Sequence, residues 1–231
     1  MKLNPNSTHP QIFKHPWYEY VDKLNKPNPP TKEAIEKAKF VDKTYPGVGP
    51  IVFDLETNGL LNDATRIHCV ALHWCEDNRT ESFNDEKYAD SPKELPMGAN
   101  YSITTALSYL ETADVLIGHN IIGFDIPVIK RIYNWFNPTG IILDTLILSR
   151  LYHPDLLGID QKHNWKHMPL QLYGRHSLEA YGYRLGEYKG NFGKTTDWKD
   201  WSQEMQDYCE QDVIVTTKLC KHFHPYLVGS R

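Results

Sequence analysis

The spacing of apolar positions changes along this chain, and from residue 51 onward it predicts a mixed α/β sheet. Ile51 to Leu55 reads as a buried strand, and Asn58-Gly59 as the turn that ends it. Alternating positions from Arg66 to Trp74 predict a second strand. Asn78-Arg79 turns it into a third around Thr80 to Phe83, giving an antiparallel meander. The period then lengthens. A helix is predicted near Ile103 to Leu110, a short strand at Val115 to Gly118, a helix from Asp125 to Asn134, a last strand at Ile141 to Leu143 and a helix from Thr145 to Tyr152. Pro127 is tolerable in the first turn of its helix, where no intrahelical N–H is needed. A long loop around HPDLLGIDQKHNWKHMP precedes a helix at Ser177 to Arg184. After a second loop, Ser202 caps a final helix from Gln203 to Phe223. Three antiparallel strands followed by alternating helices and strands make an α/β fold with a mixed sheet.

Residues 1 to 50 depart from this order. Eight of the 15 prolines (Pro5, Pro10, Pro16, Pro27, Pro29, Pro30, Pro46 and Pro50) lie there and oppose regular structure. One short helix interrupts the segment, the run KEAIEKAKFVDK capped by Thr31, with Ala34, Ile35, Ala38 and Val41 as its apolar stripe. Residues 1–50 therefore read as a proline-rich extension of one domain spanning 51–231.

Composition narrows the class. Hydrophobic residues are 40% and charged residues 23% of the 231, ordinary globular usage that excludes disorder, a collagen-like repeat or a coiled coil as the main architecture. No apolar run approaches the ~18 residues of a membrane span. MKLNPNSTHPQIF lacks the apolar centre of a signal peptide, so a cytoplasmic protein is expected. Cys69 and Cys75 are expected on one strand and Cys209 and Cys220 on one helix, so neither a disulfide framework nor a CxxC zinc site is suggested.

The formal charge of −4 excludes a broadly basic surface that grips duplex DNA by counterion release, although not a local nucleic-acid channel. The charge is also uneven. Residues 1–50 hold 8 lysines and 5 acids, leaving 17 basic against 24 acidic residues in the rest. The chemistry is to be sought in that acidic part.

Three groups of residues carry it. Asp54 and Glu56, two apart at the end of the first strand, project to one face; such a pair is costly there unless protonated or neutralised by a cation. Asp125 ends the stretch Gly118-His119-Asn120-Ile121-Ile122-Gly123-Phe124-Asp125 at a strand-to-helix junction, where a carboxylate also serves as a helix cap. Tyr208 and Asp212 stand one turn apart on the last helix and share a face. Each alone has a bland explanation as turn former, cap or solvated acid. Their combination, in this order and on these elements, does not.

The combination resembles the 3′→5′ exonucleases of the ribonuclease-H-like fold that carry four acids and a tyrosine, the DEDDy group. The closest likeness is to the proofreading exonuclease domain of podovirus DNA polymerases of the DNA polymerase I family. Asp54 and Glu56 match the first motif, Asp125 with Asn120 and Phe124 the second, and Tyr208 with Asp212 the third. The stretches DTLILSRL from Asp144, HSLEAYGYRLGEYKG from His176 and YCEQDVIVTTK from Tyr208 also look like those domains. The resemblance covers about residues 51 to 223.

It implies a ribonuclease-H-like fold and hydrolysis of single-stranded or frayed DNA from the 3′ end to nucleoside 5′-monophosphates, with two Mg2+ or Mn2+ ions. Two-metal cleavage needs cations about 3.5 to 4 Å apart, held by hard carboxylate oxygens. By the resemblance, Asp54 would bridge both ions. Glu56 and Asp212 would complete the water-activating site, Asp125 would hold the second ion and Tyr208 would orient the attacking water. Thr57 would contact the terminal nucleotide through its backbone, and Leu60 would press between the last two bases. Asn120 would bond the loop or the terminal sugar. For Leu60 a core position after a turn remains open. The segment Gln161 to Arg175, with Lys162, His163, Trp165, Lys166 and His167, reads either as a single-stranded path or as a solvated loop around a buried tryptophan. Asp144 is expected to cap the following helix and to support the site from behind.

Only 19 residues follow Asp212, which leaves no room for polymerase palm, fingers or thumb. A stand-alone exonuclease, a subunit for a separately encoded DNA polymerase or other replication protein, or an excised domain is therefore expected, in the host cytoplasm if the source is viral. An exoribonuclease like the ribonuclease D relatives is the alternative. A non-catalytic nucleic-acid-binding module would be expected to lack one of the four acids, and all are present. The extension either packs on its own domain, docks a replication partner or covers the nucleic-acid entrance.

Overall fold

The computed structural model describes residues 49–85, 102–187 and 198–229. Residues 1–48 of the proline-rich extension, with the helix predicted after Thr31, lie outside the described residues. The sheet has five strands: β1 (Ile51–Thr57), β2 (Ile67–Trp74), β3 (Arg79–Phe83), β4 (Val115–Gly118) and β5 (Ile141–Asp144). Their order is β3-β2-β1-β4-β5; β1, β2 and β3 pair antiparallel, whereas β4 and β5 join parallel to β1. The predicted ribonuclease-H-like mixed sheet is thus present. Antiparallel hairpins need only short turns, and Asn78 supplies one in the left-handed region at φ 50°. The parallel strands need helical crossovers.

Six α-helices are described: α1 (Ile103–Thr112), α2 (Asp125–Ile132), α3 (Thr145–Tyr152), α4 (Leu156–His163), α5 (Leu178–Leu185) and α6 (Gln203–Leu227). Five of the six starts follow capping chemistry. Ser102, Asp144, Asp155, Ser177 and Ser202 each accept a backbone N–H of the first turn. The helix α4 replaces part of the expected long loop, because Asp155 caps its start and Asn164, left-handed at φ 55°, ends it. Two turns with little amphipathic period leave only those caps as a sequence signal.

The sheet separates two cores. Ile51, Phe53 and Leu55 of β1 pack with Leu107 and Leu110 of α1 and Val128 and Ile129 of α2. On the other face Val52, Cys69 and Ile117 pack with Leu148 of α3, Tyr181 of α5 and Met205, Cys209 and Val213 of α6. Burying each large side chain contributes on the order of 1.5–3 kcal/mol, so α6 is held to β1 and β2 along its length. A third cluster (Met168, Leu172, Ala180) includes the half-buried Trp165. It is fastened by Asp160, fully buried, which accepts from Trp165 Nε1 at 2.9 Å, Gly174 N at 2.8 Å, and Arg184 Nε and Nη2 at 2.9 and 2.6 Å. These bonds hold the Asp160 carboxyl below the usual carboxylate range against the upward push of burial. Trp165 is therefore part of the fold, while Lys162, His163, Lys166, His167 and Arg175 around it are exposed.

The four cysteines are free, and β2 and α6 carry them nearly as expected, Cys75 standing one residue past the strand. Spacing along each element does not reveal that the two elements stack, which brings Cys69 against Cys209. Burial pushes the Cys209 thiol well above its ordinary range, with Cys69 adding to it.

Candidate active site

The acids meet because of strand alternation. Ile51, Phe53 and Leu55 point into one core, so Asp54 and Glu56 fall on the Val52 side, which faces α6. There α6 buries Met205, Cys209 and Val213, and the Cys209 thiol donates to the Asp54 carbonyl oxygen at 3.4 Å. That contact sets the middle turns of α6 against the end of β1. As a result one carboxylate oxygen each from Asp54, Glu56 and Asp212 lies within 4.8 Å of the other two. Asp212 is buried, and the other two acids are half-buried.

Asp125 completes the group from α2. It is the first helical residue and is buried; its carboxyl accepts its own backbone N–H and that of Leu55, between Asp54 and Glu56 in β1. Phe124 before it makes no side-chain cap. Burial above all, with the charges of Asp144 and Asp212 adding to it, pushes the Asp125 carboxyl up to about 7.

The loop carrying Asp125 is held from β5. Asp144 accepts from Asn120 N at 2.9 Å, Ile122 N at 3.1 Å and Leu146 N at 2.9 Å, so it caps α3, as expected, and fixes residues 120–122 as well. Thr145 donates to the Gly118 carbonyl at 3.0 Å and bonds His119 Nδ1 at 2.9 Å. Gly118 must be glycine here: a Cβ would lie 2.2 Å from Ile121 Cγ2 and 3.0 Å from the Phe53 carbonyl oxygen.

Asn120 itself is left-handed at φ 67° and exposed. Thr57 is buried, and its hydroxyl donates to the Gly59 carbonyl at 2.7 Å. Asn58 closes the same turn by accepting from Thr65 N and Arg66 N at 2.9 and 3.0 Å. Leu60 at its tip is 76% exposed, so it is not a core residue. Tyr208 is half-buried on α6, edge-on to Trp198 at 6.4 Å between ring centroids.

This donor set fits a divalent cation. Three acid oxygens so close repel one another unless a positive charge lies among them. All the donors are hard oxygens, which suit Mg2+ or Mn2+ rather than zinc.

Two tertiary contacts were not legible in the sequence. Asp160, which ties α4 to α5, lies inside a segment read as loop. His68 and Trp198 are 130 residues apart, and no local spacing joins them.

The chain is 29% identical over 204 residues to the DNA-directed DNA polymerase of Escherichia phage T7, and 28% identical over 204 residues to that of Enterobacteria phage T3. Each alignment covers 76% of this chain and 27% of the relative, so the chain spans about a quarter of the length of these polymerases. Among solved structures, the apo form of a nuclease aligns at 20% identity and TM-score 0.49, over 84% of this chain and 87% of that one. Among the described residues no helix is long and apolar enough to cross a membrane. Residues 51–224 match the RNase_H superfamily, and the chain belongs to that superfamily.

Proposed function

We propose that this chain is a divalent-metal-dependent 3′→5′ exonuclease that shortens single-stranded or frayed DNA, releasing nucleoside 5′-monophosphates. The observation that carries the reading is the convergence of Asp54, Glu56 and Asp212 within 4.8 Å, on the same side of the sheet and with Asp125 alongside. The likeness to phage DNA polymerases favours DNA and proofreading over RNA.

Asp54, Glu56, Asp125 and Asp212 would together hold two Mg2+ or Mn2+ ions. When bound, the ions supply a nucleophile at neutral pH and stabilise charge at the attacking and leaving oxygens. The chain's own residues do the rest. Tyr208, one turn before Asp212, orients the attacking water with its hydroxyl. The turn from Thr57 to Gly59 lines the terminal nucleotide with its backbone, and exposed Leu60 presses on the last bases, an apolar contact indifferent to sequence. Asn120, fixed through its backbone by Asp144, borders the terminal sugar. Residues 51–231 form the exonuclease domain, and it works in the cytoplasm, that of a bacterial host if the source is viral, in DNA replication.

The test is digestion of 5′-labelled single-stranded DNA and its RNA counterpart with Mg2+, alongside EDTA and Asp54→Ala controls. A metal-dependent ladder shortening from the 3′ end of DNA, absent in the variant, is the expected result. Preference for RNA would reassign the substrate, and binding without cleavage of either would overturn the enzymatic reading.

A further inference from the structure

The sheet departs from regular pairing once beside the acids. In β1 and β2, Glu56 pairs with Cys69 but Thr57 pairs with Ile67, which leaves His68 as the extra residue of a bulge. A bulge turns two successive side chains toward one face. Cys69 belongs to the core under α6, Ile67 to the opposite core, and His68 joins the Cys69 side, where it meets the segment leading into α6.

There His68 Nε2 lies 3.1 Å from the Trp198 carbonyl oxygen. A carbonyl only accepts, so this nitrogen carries the proton and donates. The ring is 1% exposed, and burial foremost lowers its proton affinity, which favours this neutral form. The residue that it grips is itself unusual: Trp198 is not glycine yet sits at φ 60°, a conformation that needs outside support. The Trp198 indole packs against the α6 core and stands edge-on to Tyr208, with an interplanar angle of 74°.

We propose that His68 is a positioning residue for Tyr208, acting through the Trp198 carbonyl and indole. The inference rests on the reading of Tyr208 as the group that orients the attacking water. Its physical content is a strand bulge followed by two contacts. The bulge at Glu56 places the imidazole, the imidazole fixes a left-handed Trp198, and the indole limits the tilt of the phenol. A tyrosine that bonds water must hold its hydroxyl to within a fraction of an ångström, and misplacement by about 1 Å costs on the order of a hundredfold in rate.

The experiment is a double-mutant cycle on the full chain. His68→Leu removes the donor, and His68→Gln retains an N–H near the position of Nε2. On single-stranded DNA with Mg2+, His68→Leu is expected to lower kcat roughly ten- to a hundredfold without changing KM or the Mg2+ concentration for half-maximal rate. His68→Gln recovers most of that loss. In a Tyr208→Phe background, His68→Leu costs less than about twofold, because the hydroxyl it positions is already gone. Equal losses in both backgrounds, or a shift confined to KM or metal requirement, overturn the proposal. A Tyr208→Phe variant as active as the parent overturns it too.

A second readout does not depend on turnover. The ring protons of Tyr208 should carry a ring-current shift from Trp198 in NMR spectra of tyrosine-labelled protein, reduced in His68→Leu and kept in His68→Gln. A shift unchanged in His68→Leu overturns the proposal even if the protein cleaves nothing. An inert parent protein with the expected spectra overturns the exonuclease reading alone.

Discussion

The Asp144 carboxylate lies 2.9 Å from the backbone nitrogen of Asn120, so the end of β5 holds the loop that delivers Asp125 to the site. With Ile122 N and Leu146 N, it satisfies three backbone donors at once. Asp144→Ala should therefore destabilise the protein by about 1–3 kcal/mol, since a buried donor left unsatisfied costs on the order of 1–3 kcal/mol but these three are only partly buried and water can reach them. Asp144→Asn, which keeps an acceptor oxygen, should cost less than half as much. Urea unfolding of the three proteins measures this, and an alanine variant within 1 kcal/mol of the parent on the same scale would sink the assignment.

Asp125 makes the metal-free protein sensitive to pH in an unusual direction. An unfolded carboxyl titrates near ~4, whereas burial first, then Asp144 and Asp212, push this one up to about 7. Between those values the folded state holds a proton that the unfolded state has released. The stabilising contribution is complete below ~4 and is lost as pH rises through about 7. Thermal melts in EDTA should show this decline, and Asp125→Asn should flatten it.

Added Mg2+ or Mn2+ should act oppositely. Binding needs ionised acids, and the proton on Asp125 competes below about 7. The rise in Tm at a fixed metal concentration should be small at pH 5.5 and larger at pH 8, following mass action on the folded state. A rise independent of pH would count against Asp125 as a ligand.

Arg184 and Asp160 form a buried, bidentate pair with side chains 6% and 0% exposed. Breaking it by Arg184→Ala leaves the carboxylate inside with only Trp165 and Gly174 as donors, at a cost of about 3–5 kcal/mol. The effect should appear in urea unfolding while the metal concentration for half-maximal cleavage stays unchanged, because the pair anchors α4 to α5 and not the acid cluster.

Leu60 separates stability from substrate handling. At 76% exposure, Leu60→Ala should change folding stability by less than about 0.5 kcal/mol. Cleavage should fall more on a frayed duplex end than on a free single strand, as expected for a side chain pressing between the last bases. Equal rates on both substrates would remove Leu60 from the substrate contacts.

The sequence by itself determined the five strands and five of the six described helices, because periods of 2 and 3.6 and the side-chain caps Ser102, Ser177 and Ser202 are local chemistry; α4, read as loop, was the exception. It also paired Asp54 with Glu56 and Tyr208 with Asp212, since each spacing relates neighbours on one strand or one helix, while Asp125 was singled out by the motif that resembles the family's. The superfamily match to residues 51–224 bears out the resemblance that those motifs carried. Capping by Asp144 was legible for the same local reason; its grip on Asn120 and Ile122, over 20 residues away, was not. Only the tertiary structure decided that Leu60 faces outward, that Trp165 belongs to a small core tied to Asp160, and that His68 enters a bulge and reaches Trp198. Each depends on which element packs on which face of the sheet. That choice is made by the summed burial of many side chains distant in sequence, and no window of neighbouring residues contains it.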